Sequence, residues 1–573
     1  MERLTAMRPG PYERHRELLH SVVSALAAGE CHRPFAEATV QDAADAGMRS
    51  TRTAGKVFGS LLGRPFDLVQ PGEVARVRTE SSPYGLGLAI AYPRCEPLEL
   101  VAAAARAAPG WRAAGPRQRA GLAVEILRRL NTRSHELALA VHHTTGQPLR
   151  AALHAAGPRA QDRALEVVAQ AFAESERVPS GLHWESAGRR GGPPLALRGT
   201  CTLVPRGVSL LIGCPDFPLW NGYPGLFASL VTGNPVVVAP HPRSVLPLAI
   251  TVRVARQVLE EAGHDPNLVT LAVAEPERRV HLRLATDPAV RIVDFTGSAR
   301  VADWLERHAA QATVFASRTG LNTVVVDSTD DYPGLVRGLA LSSCLCNGMV
   351  RTTPQNILVP EHGFGTDEGH KTLRDLGTDV GEAVDRLLGH PSRAAGVLGA
   401  TTADEVRAAL TEAARYGPVV HASGPVPHPR HPGAELRSPL LVRLRASDEQ
   451  VYTREWPGPI SFLVGTESTS HSLALLRRTV ARHGALYASV HSTDTLVLAA
   501  AETAALDAGV PLVENLDDLP ADPSSALADL PGGGAHFVTG RFRVVRSRRH
   551  ATPTVPVPVP ARRAEAAAEL VDR

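Results

Sequence analysis

Two textures alternate along the chain. Between residues 98 and 174, Ala, Leu and Arg recur at helical spacing, as in RQRAGLAVEILRRLNTRSHELALAVHHTTG, and Gly146 follows the last periodic turn as a helix terminator. From Val204 the pattern switches to short, continuous β-branched runs: VSLLIG, NPVVVAP, LVTLAVA and VRIVDFTG. Such runs belong to strands buried on both faces, as in parallel sheets. Between the second and third lies SVLPLAITVRVARQVLEEAG, an amphipathic helix closed by Gly263. Strand–helix–strand alternation predicts a doubly wound α/β domain. After Gly320 the alternation resumes with NTVVVDS, QNILVP, PLLVRL, ISFLVG and ALYASVHS, which predicts a second α/β domain.

The predicted organisation is an N-terminal extension over 1–90, with GRPFDLVQPGEVARV irregular, then a first α/β domain over 91–316 with a hairpin near 185–205. A second domain follows over 317–530, then a strand within 531–550 and a disordered tail over 551–573 that opens on a polyproline spacer. ALRGTCTLVPRG and AHFVTGRFRVVRSRR read as lone strands of alternating polarity. A lone strand needs an edge to pair with, so both are expected to pair across a subunit contact.

Charge and cysteine content narrow the function. A net charge of +3 over 573 residues, with no run of like charges, gives nothing to track a phosphate backbone, so no nucleic-acid partner is expected. Six cysteines in so long a chain make no disulfide framework, and Cys344–Leu345–Cys346 has no second Cys/His pair at zinc spacing, so no metal is expected. LLHSVVSALAAG is too short to span a bilayer, and Glu30 before Cys31 is wrong for a signal cleavage site. The expectation is a cytoplasmic protein without a membrane partner.

Five stretches in order carry a resemblance: GVSLLIGCPDFPLWNG, GNPVVVAPHP, DFTGS, SSCLCNGMVRTTPQNILVP and EWPGPISFLV. Together they resemble the aldehyde dehydrogenase superfamily. GLFASLVTGNPVVV, NTVVVDSTDDY, TTPQNILVP, TDEGHKTL and RFRVVRSRRH are most similar to its phenylacetic acid degradation (PaaN) branch, and the resemblance runs from about Phe66 to His550. It implies a Rossmann-like nucleotide domain, an α/β catalytic domain and a β oligomerisation arm in a homodimer or homotetramer. It also implies NAD or NADP as cofactor, and a small aldehyde or CoA-thioester-like ligand from the breakdown of an aromatic compound.

Oxidising an aldehyde in that way takes a thiolate, donors for an oxyanion, a hydride acceptor and a base. The register set by Gly348 places Arg351, not cysteine, at the nucleophile position, and a guanidinium is neither nucleophilic nor deprotonated. Cys344 and Cys346 lie upstream, where the family chain is still helical, and are expected to be buried small hydrophobes. Ser317 stands at the general-base position and Asp216 at the oxyanion amide, where a carboxylate repels developing negative charge. In the cofactor region Ala239 replaces the ribose-binding lysine and Pro457 the aromatic, while Glu455, Gly297 and Ser298 are kept. Gly297–Ser298 would open a helix whose first amides can face a diphosphate. Arg351 is expected to pair with Asp216, closing the old site. The implied class is therefore an NAD(P)-dependent oxidoreductase without its thiol chemistry. A non-catalytic binding or scaffold protein, an enzyme with changed chemistry in the same pocket, and a dehydrogenase using Cys346 are the competing readings.

Overall fold

The apolar runs become two separate sheets, each buried on both faces. The computed structural model describes residues 9–30, 32–35, 48–186, 195–273, 275–348, 350, 353–401, 404–516, 538 and 540–551. The first sheet is wholly parallel and has the spatial order Val269–Leu271, Val236–Ala239, Val208–Ile212, Val290–Gly297, Thr313–Arg318. Its valines explain their own continuity: Val236 and Val238 enter one core, while Val237 and Ala239 enter the core on the opposite face. With apolar packing on both sides, no position alternates to polar.

The second sheet runs Val419–His421, Leu440–Arg445, Ile460–Thr466, Asn356–Pro360, Thr323–Val326, Ala488–His491, Leu512–Glu514, parallel except for its first pair. The same alternation holds, with Ile357 and Val359 in one core and Leu358 in the other. All nine quoted runs thus form strands. The first domain extends slightly beyond its expected limit, because Thr313–Arg318 is its fifth strand and Ser317 pairs with Thr296.

The described residues before 91 pack onto the first domain. Helix Pro11–Ala28 lies against helices Gly115–Asn131 and Pro158–Arg177, and its Leu19 and Val22 belong to the same core as the first sheet. Gly121 permits the approach, since a Cβ there would stand 2.4 Å from the Tyr12 nitrogen. Glu73–Val77, expected to be irregular, pairs antiparallel with Tyr92–Cys95. Glu80 then reaches helix Leu246–Glu261, whose own N-cap residue makes no side-chain hydrogen bond. The Glu80 carboxylate accepts from Leu246 N at 2.8 Å, from Val245 N, and from the Tyr92 hydroxyl at 2.5 Å, capping that helix from outside.

The two strands expected to seek a neighbouring subunit pair with each other within the chain. Phe542–Ala551 pairs antiparallel along its whole length with Leu195–Pro205, which pairs in turn with Gly181–Ser186. This makes a three-stranded arm within one chain, whose outer strands Phe542–Ala551 and Gly181–Ser186 each pair along one edge only among the described residues, so it does not replace the expected pairing across a subunit contact. Arg541, at the foot of its last strand, is fully buried against Asp294 of the first sheet. The expected tail, beyond Ala551, lies outside the described residues. Among the described residues, no helix is long and apolar enough to cross a membrane.

Candidate active site

Register assembles the site. In the first sheet the order of strands reverses between Val208–Ile212 and Val290–Gly297, and such a switch point opens a crevice at the carboxyl ends of the strands. Ile212 pairs with both Ala239 and Phe295, and Thr296 pairs with Ser317. Ala239, the Gly213–Asp216 turn, Gly297–Ser298 and Ser317 therefore emerge along one edge. Residues 319–322 then lead into the second sheet at its opposite, amino edge, where Thr323 pairs with Asn356 and Ala488. The site lies between the two edges.

Asp216 is held by its backbone, whose carbonyl accepts from Gln147 Nε2. Its half-buried carboxyl is pushed above the usual range by desolvation, which Arg243 only partly opposes. Gln147 follows Gly146, the left-handed cap of helix Ser134–Thr145. Gly146 is required there: a Cβ would stand 1.9 Å from the Ala400 carbonyl oxygen, and Ala400 N donates to Gly146 O at 2.7 Å. One glycine thus brings the second domain against the cap, and the next residue carries the contact on to Asp216.

The loop that should present a nucleophile starts where helix Tyr332–Cys344 ends. Cys346 is not on a helix, contrary to expectation. Cys346 and Asn347 take left-handed φ values of 50° and 55°, an uncommon state for non-glycine residues, and Asn347 Nδ2 donates to Gly399 O at 3.0 Å. Both thiols are buried as expected, and burial pushes Cys344 up to about 12. Gly348, at φ 68°, packs so closely that a Cβ would stand 2.5 Å from Pro459 Cα. Met349, Arg351 and Thr352 lie outside the described residues, and so does the expected ion pair between Arg351 and Asp216.

Beyond the loop, Gln355 and Asn356 fix the turn that carries Glu455. Gln355 Nε2 donates to Arg454 O at 2.9 Å and to Tyr452 O at 3.1 Å, its Oε1 accepts from Trp456 N, and Asn356 Nδ2 donates to Tyr452 O. The Glu455 carboxylate then accepts from Thr319 Oγ1 at 2.5 Å, across the two domains. Pro457 is exposed, whereas the neighbouring Trp456 is buried. On the first sheet Ala239 is buried and half-buried His241 just beyond it is lowered to about 4 by desolvation, with the nearby Arg243 guanidinium, which also acts on Asp216, adding to that lowering. Ser298 precedes helix Ala299–His308 without a side-chain capping bond, and the ring of Phe295 fills the space a Cβ on Gly297 would need, at 2.6 Å.

The aldehyde dehydrogenase family profile matches residues 96–514, well over half the chain. The chain belongs to the aldehyde dehydrogenase family. The crystal structure of an NAD-dependent aldehyde dehydrogenase from Burkholderia multivorans is 43% identical, covers 96% of this chain and 100% of its own, and superposes with a TM-score of 0.91. A Thermus 1-pyrroline-5-carboxylate dehydrogenase with bound NAD shares the fold at a TM-score of 0.69 and 16% identity, over 90% of this chain and 98% of its own. N-succinylglutamate 5-semialdehyde dehydrogenase of Chromohalobacter salexigens is 26% identical over 272 residues, covering 47% of this chain and 51% of that relative. The chain spans about half the length of such curated relatives, or less. As an aldehyde dehydrogenase fold, the architecture meets the fold class expected from sequence.

Of the expected site residues, Asp216, Ser317, Ala239, Gly297 and Ser298 share one edge, and Glu455 is tied to that edge through Thr319. Sequence reasoning missed Gln147, Thr319 and Gln355. Each sits beside a glycine or proline, Gln147 after Gly146, Thr319 before Gly320 and Gln355 after Pro354, and that adjacency was the available signal.

Proposed function

We propose that this member of the aldehyde dehydrogenase family, by sequence most like the PaaN branch, descends from oxidoreductases of aromatic-acid breakdown and no longer performs thiohemiacetal chemistry. The observation that carries the reading is the sequence register from Gly348, which puts Arg351 at the nucleophile position. No other thiol near that point is suited to replace it: Cys346 is buried beside Tyr84, and Cys344 is buried and strongly disfavoured as a thiolate. Ser317 offers no base near pH 7. At Asp216 the family's amide donor is missing.

Family membership implies a nicotinamide dinucleotide, and the residues fit it poorly. The uncapped start of helix Ala299–His308 suits a diphosphate. The ribose and nicotinamide positions do not, since Ala239 supplies no cation and exposed Pro457 no aromatic surface. Glu455 is already engaged by Thr319.

A second reading has one observation in its favour. Desolvation raises the Asp216 carboxyl, which suits it to exchange a proton in a pocket of changed chemistry. The two readings separate in one experiment: purified protein is assayed for NAD and NADP reduction with an aldehyde panel. No rate above the blank is expected. Turnover abolished by Cys346→Ala would sink the first reading, and turnover abolished by Asp216→Asn alone would favour the second.

A further inference from the structure

Away from Asp216, a cavity of about 310 Å3 opens between the start of helix Leu149–Ala156, helix Pro391–Val397 and the segment 428–431. That volume lies at the lower end for small-molecule sites. Among the described residues its polar lining holds Ser392, three histidines (His142, His428 and His431) and two arginines (Arg150 and Arg430), with no carboxylate. Pro148, Leu149, Ala395 and Pro429 supply apolar walls.

The ring nitrogens show what the cavity lacks. His428 is 8% exposed, and its Nδ1 accepts from the backbone amides of Arg430 at 3.1 Å and His431 at 3.0 Å. Its Nδ1 lone pair is thereby used, so the neutral ring carries its proton on Nε2, which has no partner. His428 lines the cavity, so this donor is open to it and not sealed in the core. The charges acting on His428 are His431 and Arg430, with no carboxylate among them. Among the described residues, neither the Arg150 nor the Arg430 guanidinium, both exposed, has an ion-pair partner. His142 donates from Nδ1 to Gln147 O at 2.6 Å and stacks on Tyr84 at 4.0 Å between centroids, and burial lowers it to about 3, so it is a neutral wall and not a cation. Among the described residues no three His, Cys, Asp or Glu side chains are placed to hold a metal.

A donor in the lining, two guanidiniums without ion-pair partners among the described residues and apolar walls call for an anion with an apolar body. We propose that this cavity binds a small organic carboxylate with a planar apolar body, its oxygens taken by His428 Nε2–H and by Arg150 and Arg430. A carboxylate matches the guanidinium fork, and a flat body covers the proline and leucine walls that inorganic phosphate would leave bare. The site does not involve Arg351, so it stands whether or not dehydrogenase chemistry is lost.

Calorimetry on the full chain at pH 7.5 tests it, with benzoate, cyclohexanecarboxylate and inorganic phosphate as probes. His428→Asn keeps an acceptor for the two backbone amides and removes the Nε2 donor; Arg150→Gln/Arg430→Gln removes both cations; Arg477→Gln, a remote surface change, is the control. The expected result is saturable benzoate binding tighter than phosphate, equal in wild type and control and at least tenfold weaker in both site variants. Absence of carboxylate binding by the wild type, phosphate bound as tightly as benzoate, or indifference to both variants would overturn the proposal. The wild-type comparison decides by itself if a variant fails to fold.

Discussion

Arg541 and Asp294, 247 positions apart, meet as a buried bidentate ion pair. Arg541 Nη1 lies 2.8 Å from Asp294 Oδ2, while Nη2 donates to Oδ1. Ser229 Oγ accepts from Nη1 at 2.5 Å, and the guanidinium stands 4.3 Å from the Phe315 ring centroid. Both side chains are almost wholly removed from solvent, so each charge depends on the other. Arg541→Ala would leave a buried carboxylate unpaired, at a cost of about 3–5 kcal/mol in unfolding free energy. Arg541→Met with Asp294→Asn removes the orphan charge and should recover part of that loss. Urea unfolding of the three proteins, with unchanged slope, is the check; equal loss in single and double variants would contradict it.

Dinucleotide affinity should rise when the missing cation is returned. Ala239→Lys restores a charge-assisted hydrogen bond worth about 1.5–3 kcal/mol, or roughly one to two decades in affinity. Calorimetric titration with NAD and NADP measures it. Micromolar or tighter NAD binding by the unaltered chain would show that the site never needed the lysine.

Glu80 predicts a pH dependence with a definite sign. Burial raises its carboxyl to about 7, against the lowering effect of its bonds to Tyr92, Leu246 and Val245. A folded-state pKa above the unfolded value means the folded chain holds the proton more tightly. That stabilisation is fully present below about pH 4.5 and is lost as pH rises through about 7. Relative to wild type, Glu80→Gln should gain about 3 kcal/mol in stability between pH 4.5 and pH 8. Denaturant midpoints at four pH values measure the difference, and a constant difference would refute the assignment.

Thiol labelling should distinguish exposure from chemistry. Cys95, Cys214, Cys344 and Cys346 are buried and Cys201 is half-buried. Brief treatment with iodoacetamide should leave Cys344 and Cys346 unmodified, as located by mass spectrometry, until denaturant is added. Rapid alkylation of Cys346 in the native protein would revive it as a relocated nucleophile.

How much of this was legible in the sequence depends on the range of the interaction. Val236–Ala239 declares itself locally, because a strand packed on both faces has four apolar residues in succession. Gly146 was legible as a helix terminator, but not as the point where Ala400 presses against the cap, since that needs the tertiary fold. The intrachain pairing of the arm was hidden for the same reason. Leu195–Pro205 and Phe542–Ala551 look partnerless in one dimension because each one's partner is more than three hundred positions away. At the site, register from Gly348 locates Arg351, yet nothing in the periodicity of EWPGP shows that Gln355 holds that turn or that Thr319 engages Glu455. Side-chain hydrogen bonds between distant loops leave no periodic trace.

The arm's return to the first sheet also bears on how the chain is made. Synthesis delivers the N-terminal domain first, and its five strands are complete once Arg318 has emerged. Asp294 and Ser229 are then in place, but the guanidinium that satisfies them belongs to a segment translated more than two hundred residues later. Asn234 waits as well, since its Nδ2 donates to the Arg541 carbonyl at 3.1 Å. Until then the Asp294 carboxyl must stay hydrated or protonated, so the first domain takes its final form only when the last strand of the arm is made.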